Sequence, residues 1–249
     1  MKVHIINNHR VEVYDSIDEM PIQRFHKYNK YLLIESGVGG DIQDIMDHIQ
    51  RAQIYVTKEP KLAIIELQNL AQSVAFISNE MSPKYMAFAA LVKSIDGKPQ
   101  EDLSDLGIQK VMDILNKEKK GWLDGVLNSV KKKIDRELKL YFPGKFNETS
   151  TQRYMEELKR HTQVKLDAII TGEDKGKEIS DLEANMAMLA RPRLFTGNRS
   201  VEITYDKQFE DMCLILTHHL QVDTKMMTVL QFFNAFDYLK KMMKRNKAK

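Results

Sequence analysis

Residues 83–94, PKYMAFAALVKS, decide the fold class of this 249-residue chain. Pro83 suits a first helical turn, and the run from Met86 to Val92 is apolar on every side, so it leaves no face for water. A helix of that kind is the buried centre of a bundle, and it needs amphipathic helices around it. The spacing predicts it from Pro83 to about Ser94.

Such helices are read on both sides. One begins near Pro21, capped by Ser16 or Asp18, carries Phe25, Tyr28, Leu32 and Leu33 along one side, and stops at Gly37. Asp41 opens a second with Ile42, Ile45, Met46 and Ile49 as its apolar face. Glu59–Pro60 starts a third, where Leu62, Ile65, Leu67, Leu70, Val74 and Ile77 are spaced for burial. After the Asp96–Gly97 turn, Ser104 caps a short helix ending near Lys117. Trp122, Val126, Val130, Ile134, Leu138 and Tyr141 stripe a long one, stopped by Pro143–Gly144 and flanked by a solvated run, Lys131 to Lys133. Ser150 or Thr151 caps a helix to about Ile170, and another runs from Asp181 to Ala190, halted by Pro192. Residues 200–205 read as a short strand, and 209–219 and 224–247 as a helical pair.

The N-terminus differs. Lys2–Ile6 and residues 10–14 are β-prone around Asn7–Asn8, a hairpin that must pack on a helix or pair with a further strand. The reading is mainly α: a helical bundle with a small N-terminal β-hairpin and a C-terminal helical unit. Residues 1–171 form the helical domain with the hairpin, and the charge-dense GEDKGKE marks a linker or exposed loop at 172–180. Residues 181–249 form the C-terminal unit with a basic tail.

Composition bounds the rest. Hydrophobic residues make up 43% and charged residues 29%, an ordinary globular balance that excludes disorder. Eleven Gly and six Pro are few, which favours helices. The lone Cys213 excludes an intramolecular disulfide and a Cys-rich zinc site and fits a reducing compartment. With neither a signal-peptide core nor a membrane-length apolar run, the expectation is a soluble cytoplasmic protein without membrane contact.

Candidate chemistry is sparse. His218 and His219 are helix neighbours about 100° apart, so they cannot chelate one metal, and one packed with one exposed is the expectation. Asp44 and His48 are spaced for a surface ion pair. Gly37 to Asp41 (GVGGD) lacks the lysine of a phosphate loop and follows a helix, so it reads as a helix stop and a helix start. Cys213 lies in an apolar run and is expected to be buried and inert. No nucleophile elbow, zinc-protease or paired-carboxylate motif occurs. No catalytic residue, metal or cofactor is assigned.

The C-terminus carries the functional weight. Val229, Phe232, Phe233, Phe236, Leu239 and Met243 repeat at helical steps, and Phe232, Phe233, Phe236, Met242 and Met243 are the candidate partner contacts. Lys240, Lys241, Lys244, Arg245, Lys247 and Lys249 follow without an acid. Net charge is +3, so removing these six cations leaves 3 − 6 = −3 on residues 1–239. The basic character is local, and a nucleic-acid contact through this tail is the alternative reading.

Three stretches carry a family resemblance: residues 28–34 (YNKYLLI) with 37–41 (GVGGD), 86–107 (MAFAALVKSIDGKPQEDLSDLG), and 223–241 (DTKMMTVLQFFNAFDYLKK). Together they resemble minor structural or morphogenesis proteins of tailed bacteriophages, and the last is similar to the C-terminal helix of some tail assembly chaperones. The resemblance covers about a fifth of the chain. It implies a non-enzymatic protein of the host cytoplasm or the virion that binds tape-measure or tail-tube subunits through helical surfaces. Self-association is compatible with it.

Overall fold

The structure, a computed structural model, describes residues 2–6, 8–115, 122–143, 149–189 and 191–247. Among these, the chain forms β1 (Lys2–Ile6), β2 (His9–Val13), α1 (Ile22–Gly37), α2 (Ile42–Lys58), α3 (Pro60–Ser78), α4 (Pro83–Leu91), β3 (Val92–Ile95), β4 (Lys98–Pro99), α5 (Asp105–Leu115), α6 (Trp122–Tyr141), α7 (Thr149–Thr171), α8 (Gly176–Leu189), α9 (Val201–Leu220) and α10 (Val229–Lys247). The protein is mainly α with an N-terminal hairpin. Asn7, the Lys117 helix end, the Gly144 stop, Ala190 and Lys249 lie outside the described residues, as do the side chains of Trp122, Ser150, Thr151 and Lys247.

The hairpin pairs Ile6 with His9, and Asn8 adopts a left-handed backbone (φ 63°), which asparagine tolerates in tight turns. Its further partner comes from residues 83–94. These do not form one helix: α4 ends at Leu91, and Val92 to Ile95 become β3, antiparallel to β2 with Val11 opposite Ile95 and Val13 opposite Val92. An unbroken apolar run suits a buried helix or a buried strand equally, and β-branched Val92 and Ile95 favour the strand. Arg24, 7% exposed, holds the switch. Its guanidinium donates to the carbonyls of Ala90 (3.1 Å), Val92 (2.7 Å) and Gln100. A cation at the carbonyl end of α4 also suits the helix dipole. Met86 to Leu91 are all buried, as expected of the centre.

The second and third helices turn a different line inward than expected, leaving Ile45, Leu62, Ile65, Leu70 and Ile77 only half-buried. Their shared seam holds His48, Ala52 and Tyr55 against Ala63, Glu66, Asn69 and Ser73, whereas Ile42, Met46, Ile49, Leu67 and Val74 are exposed. Small Ala52, Ala63 and Ser73 let the helices approach, and His48, Glu66 and Arg51 satisfy one another inside. His48 contacts Glu66 through Nδ1 (2.5 Å) and the Val38 carbonyl through Nε2 (2.9 Å), and Arg51 Nε donates to Glu66 (2.8 Å). Asp44 therefore does not pair with His48. It closes a capping box with Asp41 at the start of α2.

Other local expectations shift for similar reasons. Ser16 does not cap α1, because its hydroxyl and the Ile17 N–H both donate to Glu137 of α6 (2.9 Å each). Lys133 leaves the solvated run to reach nearly buried Asp15 (2.9 Å). Residues 201–205 are helix, with Ser200 capping α9 by accepting from the Ile203 N–H, and α8 starts at Gly176 within the expected loop. Thr224 begins only a 3-10 turn, and α10 starts after a reciprocal Thr228–Gln231 cap. The N–H groups of Val229 and Leu230 bond the carbonyls of Met20 and Ile17, and α9 and α10 share one hydrophobic cluster with the hairpin, α1 and α4. Among the described residues that cluster takes in side chains from both sides of residues 172–180.

Replacing Arg24 with Met strands three carbonyls and should cost about 3–5 kcal/mol of unfolding free energy. Urea denaturation checks this, and a loss below about 1 kcal/mol would show that the switch holds without the guanidinium.

Candidate cleft with two guanidinium groups

An open cleft of about 760 Å³ lies among α1, α6, α9, α10 and the segment joining α8 to α9. Its floor is apolar: Phe25, Leu32 and Leu33 come from one face of α1, Leu138 from α6, Val201 from α9 and Phe233 from α10. Phe25 and Phe233 meet edge to face with centroids 6.1 Å apart, which sets the floor's shape. The rim is polar, with Asn29, Asp135, Thr204, Gln208, Arg193 and Arg199.

The joining segment is held at three points. Asn69 Nδ2 donates to the Arg193 carbonyl (2.9 Å), and the Val201 N–H reaches the Leu194 carbonyl (2.8 Å). The buried Phe195 ring presses against Gly37, where a Cβ would sit 2.2 Å from it. Gly37 is thus required for close approach inside α1. These anchors set both arginines at the rim with their side chains exposed, and among the described residues neither guanidinium has an ion-pair partner. Neighbouring Arg191, by contrast, pairs with Glu59 (3.0 Å). Two cations against Asp135 give the rim a net positive charge. Burial raises the Tyr205 hydroxyl to about 12, so it stays a neutral phenol at the wall.

Beside the cleft, α1 and α9 share a charged cluster. The His26 ring stacks with Tyr205 (4.6 Å) and Phe209 (4.0 Å), while Nε2 meets Asp206 (2.8 Å). Lys30 also reaches Asp206 (2.6 Å). Burial pulls the His26 pKa below its ordinary value, and Asp206 only partly offsets this. For Asp206, burial alone would raise the pKa, but the hydrogen bonds from Lys30 and His26 bring it below the usual carboxylate range.

The candidate contacts of α10 separate. Phe232 is 1% exposed and belongs to the core of this chain, not to its surface. Phe233 enters the cleft floor, and half-buried Phe236 lies under Lys240 (4.6 Å from the ring centroid). Met242 and Met243 are exposed, as are Lys240, Lys241, Lys244 and Arg245. Both His218 and His219 are exposed, contrary to the expected packed one. Cys213 is buried, with its thiol pKa pushed up by burial. Among the described residues no group of three or more His, Cys, Asp or Glu could hold a metal ion, and no helix is long and apolar enough to cross a membrane. Arg193 and Arg199 escaped the sequence reading, although residues 184–201 carry three arginines and no acid.

The lowered His26 pKa sets a sign. Below about pH 6.5 the unfolded chain takes up a proton that folded His26 resists, so this group withdraws stability as pH falls from 7.5 to 5. Glu35 and Glu202, raised by burial, act in the opposite sense. His26→Phe keeps a ring in the stack and should reduce the acid loss of the urea midpoint relative to the parent chain; an unchanged pH slope would refute the assignment. No protein family, curated protein or solved structure matches this chain.

Proposed function

We propose that this protein acts by binding rather than catalysis, receiving a short acidic and apolar segment of another protein in the cleft. One observation carries the reading: two guanidinium groups without ion-pair partners among the described residues stand over an apolar aromatic floor. A guanidinium offers a fork of donors that a carboxylate accepts bidentately. Phe25, Leu138 and Phe233 offer an adjoining surface for aliphatic or aromatic side chains. Within the phage-morphogenesis resemblance, the partner is a tape-measure or tail-tube subunit, met in the host cytoplasm or the virion.

Fluorescence anisotropy with peptides that alternate Asp or Glu with Leu or Phe tests this. Arg193→Ala/Arg199→Ala should weaken binding at least about tenfold, a change of roughly 1.4 kcal/mol, and a Lys-for-Glu peptide should bind poorly. Equal binding of both peptides, or by the double variant, would sink the reading.

A second reading rests on a different observation. Beyond buried Leu239, α10 continues outward with Lys240, Lys241, Lys244 and Arg245 exposed, a cationic helix end suited to nucleic-acid phosphates. Deleting residues 240–249 should then abolish any salt-sensitive affinity for generic duplex DNA or RNA. Unchanged affinity after the deletion removes this reading.

A further inference from the structure

The α2–α3 hairpin has a side that the described residues leave open. Ile42, Met46, Ile49 and Val56 follow on α2 at steps of four and three with one polar member, Gln53, and Ile64, Leu67, Ala71 and Val74 do the same on α3. That is a heptad seam on each helix. Both seams lie roughly 110° around from the line where the helices meet, each in its own sense of rotation, which in an antiparallel pair puts them on one side of the hairpin. Other sides are occupied: Gln50, at the outer edge of α2, bonds Glu183 of α8 (3.0 Å), and Asn69 bonds the Arg193 carbonyl.

Three features select what covers the open side. Its seven large apolar side chains are 37% to 74% exposed and present on the order of 700 Å², near the roughly 800 Å² per partner of a stable interface. None of its positions carries a charge, so the face can meet itself across a two-fold axis without opposing like charges. Of the hairpin's cations, Arg51 and Lys58 fall on the other side of α2, and Lys61 alone borders the face, one turn before Ile64, fewer cations than the basic border of a membrane-surface helix. We propose that two copies of this chain associate through this face, their α2–α3 hairpins forming an intermolecular four-helix bundle.

Sedimentation equilibrium of the full chain, from about 0.1 to 100 µM, should show a species of twice the 29.0 kDa chain mass. Met46→Glu/Leu67→Glu places charge at two exposed seam positions. It should leave the far-ultraviolet circular dichroism and urea midpoint of the monomer intact while raising the dimer Kd at least about 100-fold. Met46→Lys/Leu67→Lys should do the same, and mixing the two variants should restore a heterodimer. A parent chain that is monomeric across this range overturns the proposal, as does a dimer that survives both variants. A monomer that instead partitions onto phosphatidylcholine vesicles containing anionic lipid also overturns it, assigning the face to a membrane.

Discussion

Arg24 sits where the chain stops being a helix and starts being a strand, with one guanidinium spanning carbonyls of α4, β3 and the residue after β4. A buried cation is tolerable only when its donors are met, and here they are met by three backbone oxygens, one of them in the last turn of α4, where helix carbonyls lack intrahelical partners. The contact ties α1 to the central helix and positions β3 beside β2. Without a third strand the N-terminal hairpin would be a marginal two-stranded ribbon. The sheet, the first helix and the buried centre therefore rest on one side chain, and its stacking distance to Tyr14, 5.5 Å, adds a cation–π contact.

A comparable economy of buried polar groups shapes the two surfaces with functional promise. In the α2–α3 seam, His48, Glu66 and Arg51 neutralise one another next to the Val38 carbonyl. Because that polar seam faces inward, the apolar heptads are left facing outward. Asn69 belongs to the same seam, and its bond to the Arg193 carbonyl fixes the segment that carries both rim arginines. The polar interior of the hairpin thus touches both the uncovered face on one side and the cleft on the other. They are separable surfaces: one is an apolar patch whose own positions carry no charge, and the other a cationic rim around an aromatic floor.

Legibility in the sequence followed the scale of the interaction. The Asp41 cap was readable because its chemistry is local and its partners lie within four residues. The stripe of α6 was nearly right: Val130, Ile134 and Leu138 are buried, but Leu123 and Leu127 take the place of exposed Tyr141. The Thr228–Gln231 cap was equally local and was hidden only by the preceding 3-10 turn. The cleft was not legible, because its residues come from positions 25 to 233 and none has an unusual neighbour. The acid-free run with Arg193 and Arg199 was its single trace.

The sequence by itself determined the helical class, the hairpin, the buried character of Met86 to Leu91 and the burial of Cys213. Each follows from periodicity, turn chemistry or an unbroken apolar run within one segment. Only tertiary structure decided which face of α2 and α3 turns inward, where α4 yields to β3, and that Phe232 is core while Phe233 opens onto a cleft. Periodicity reveals that a helix has an apolar face, but not what that face meets. In α2 and α3 a mutually satisfied ion-pair cluster took the interior, and the hydrophobic stripe was left outside.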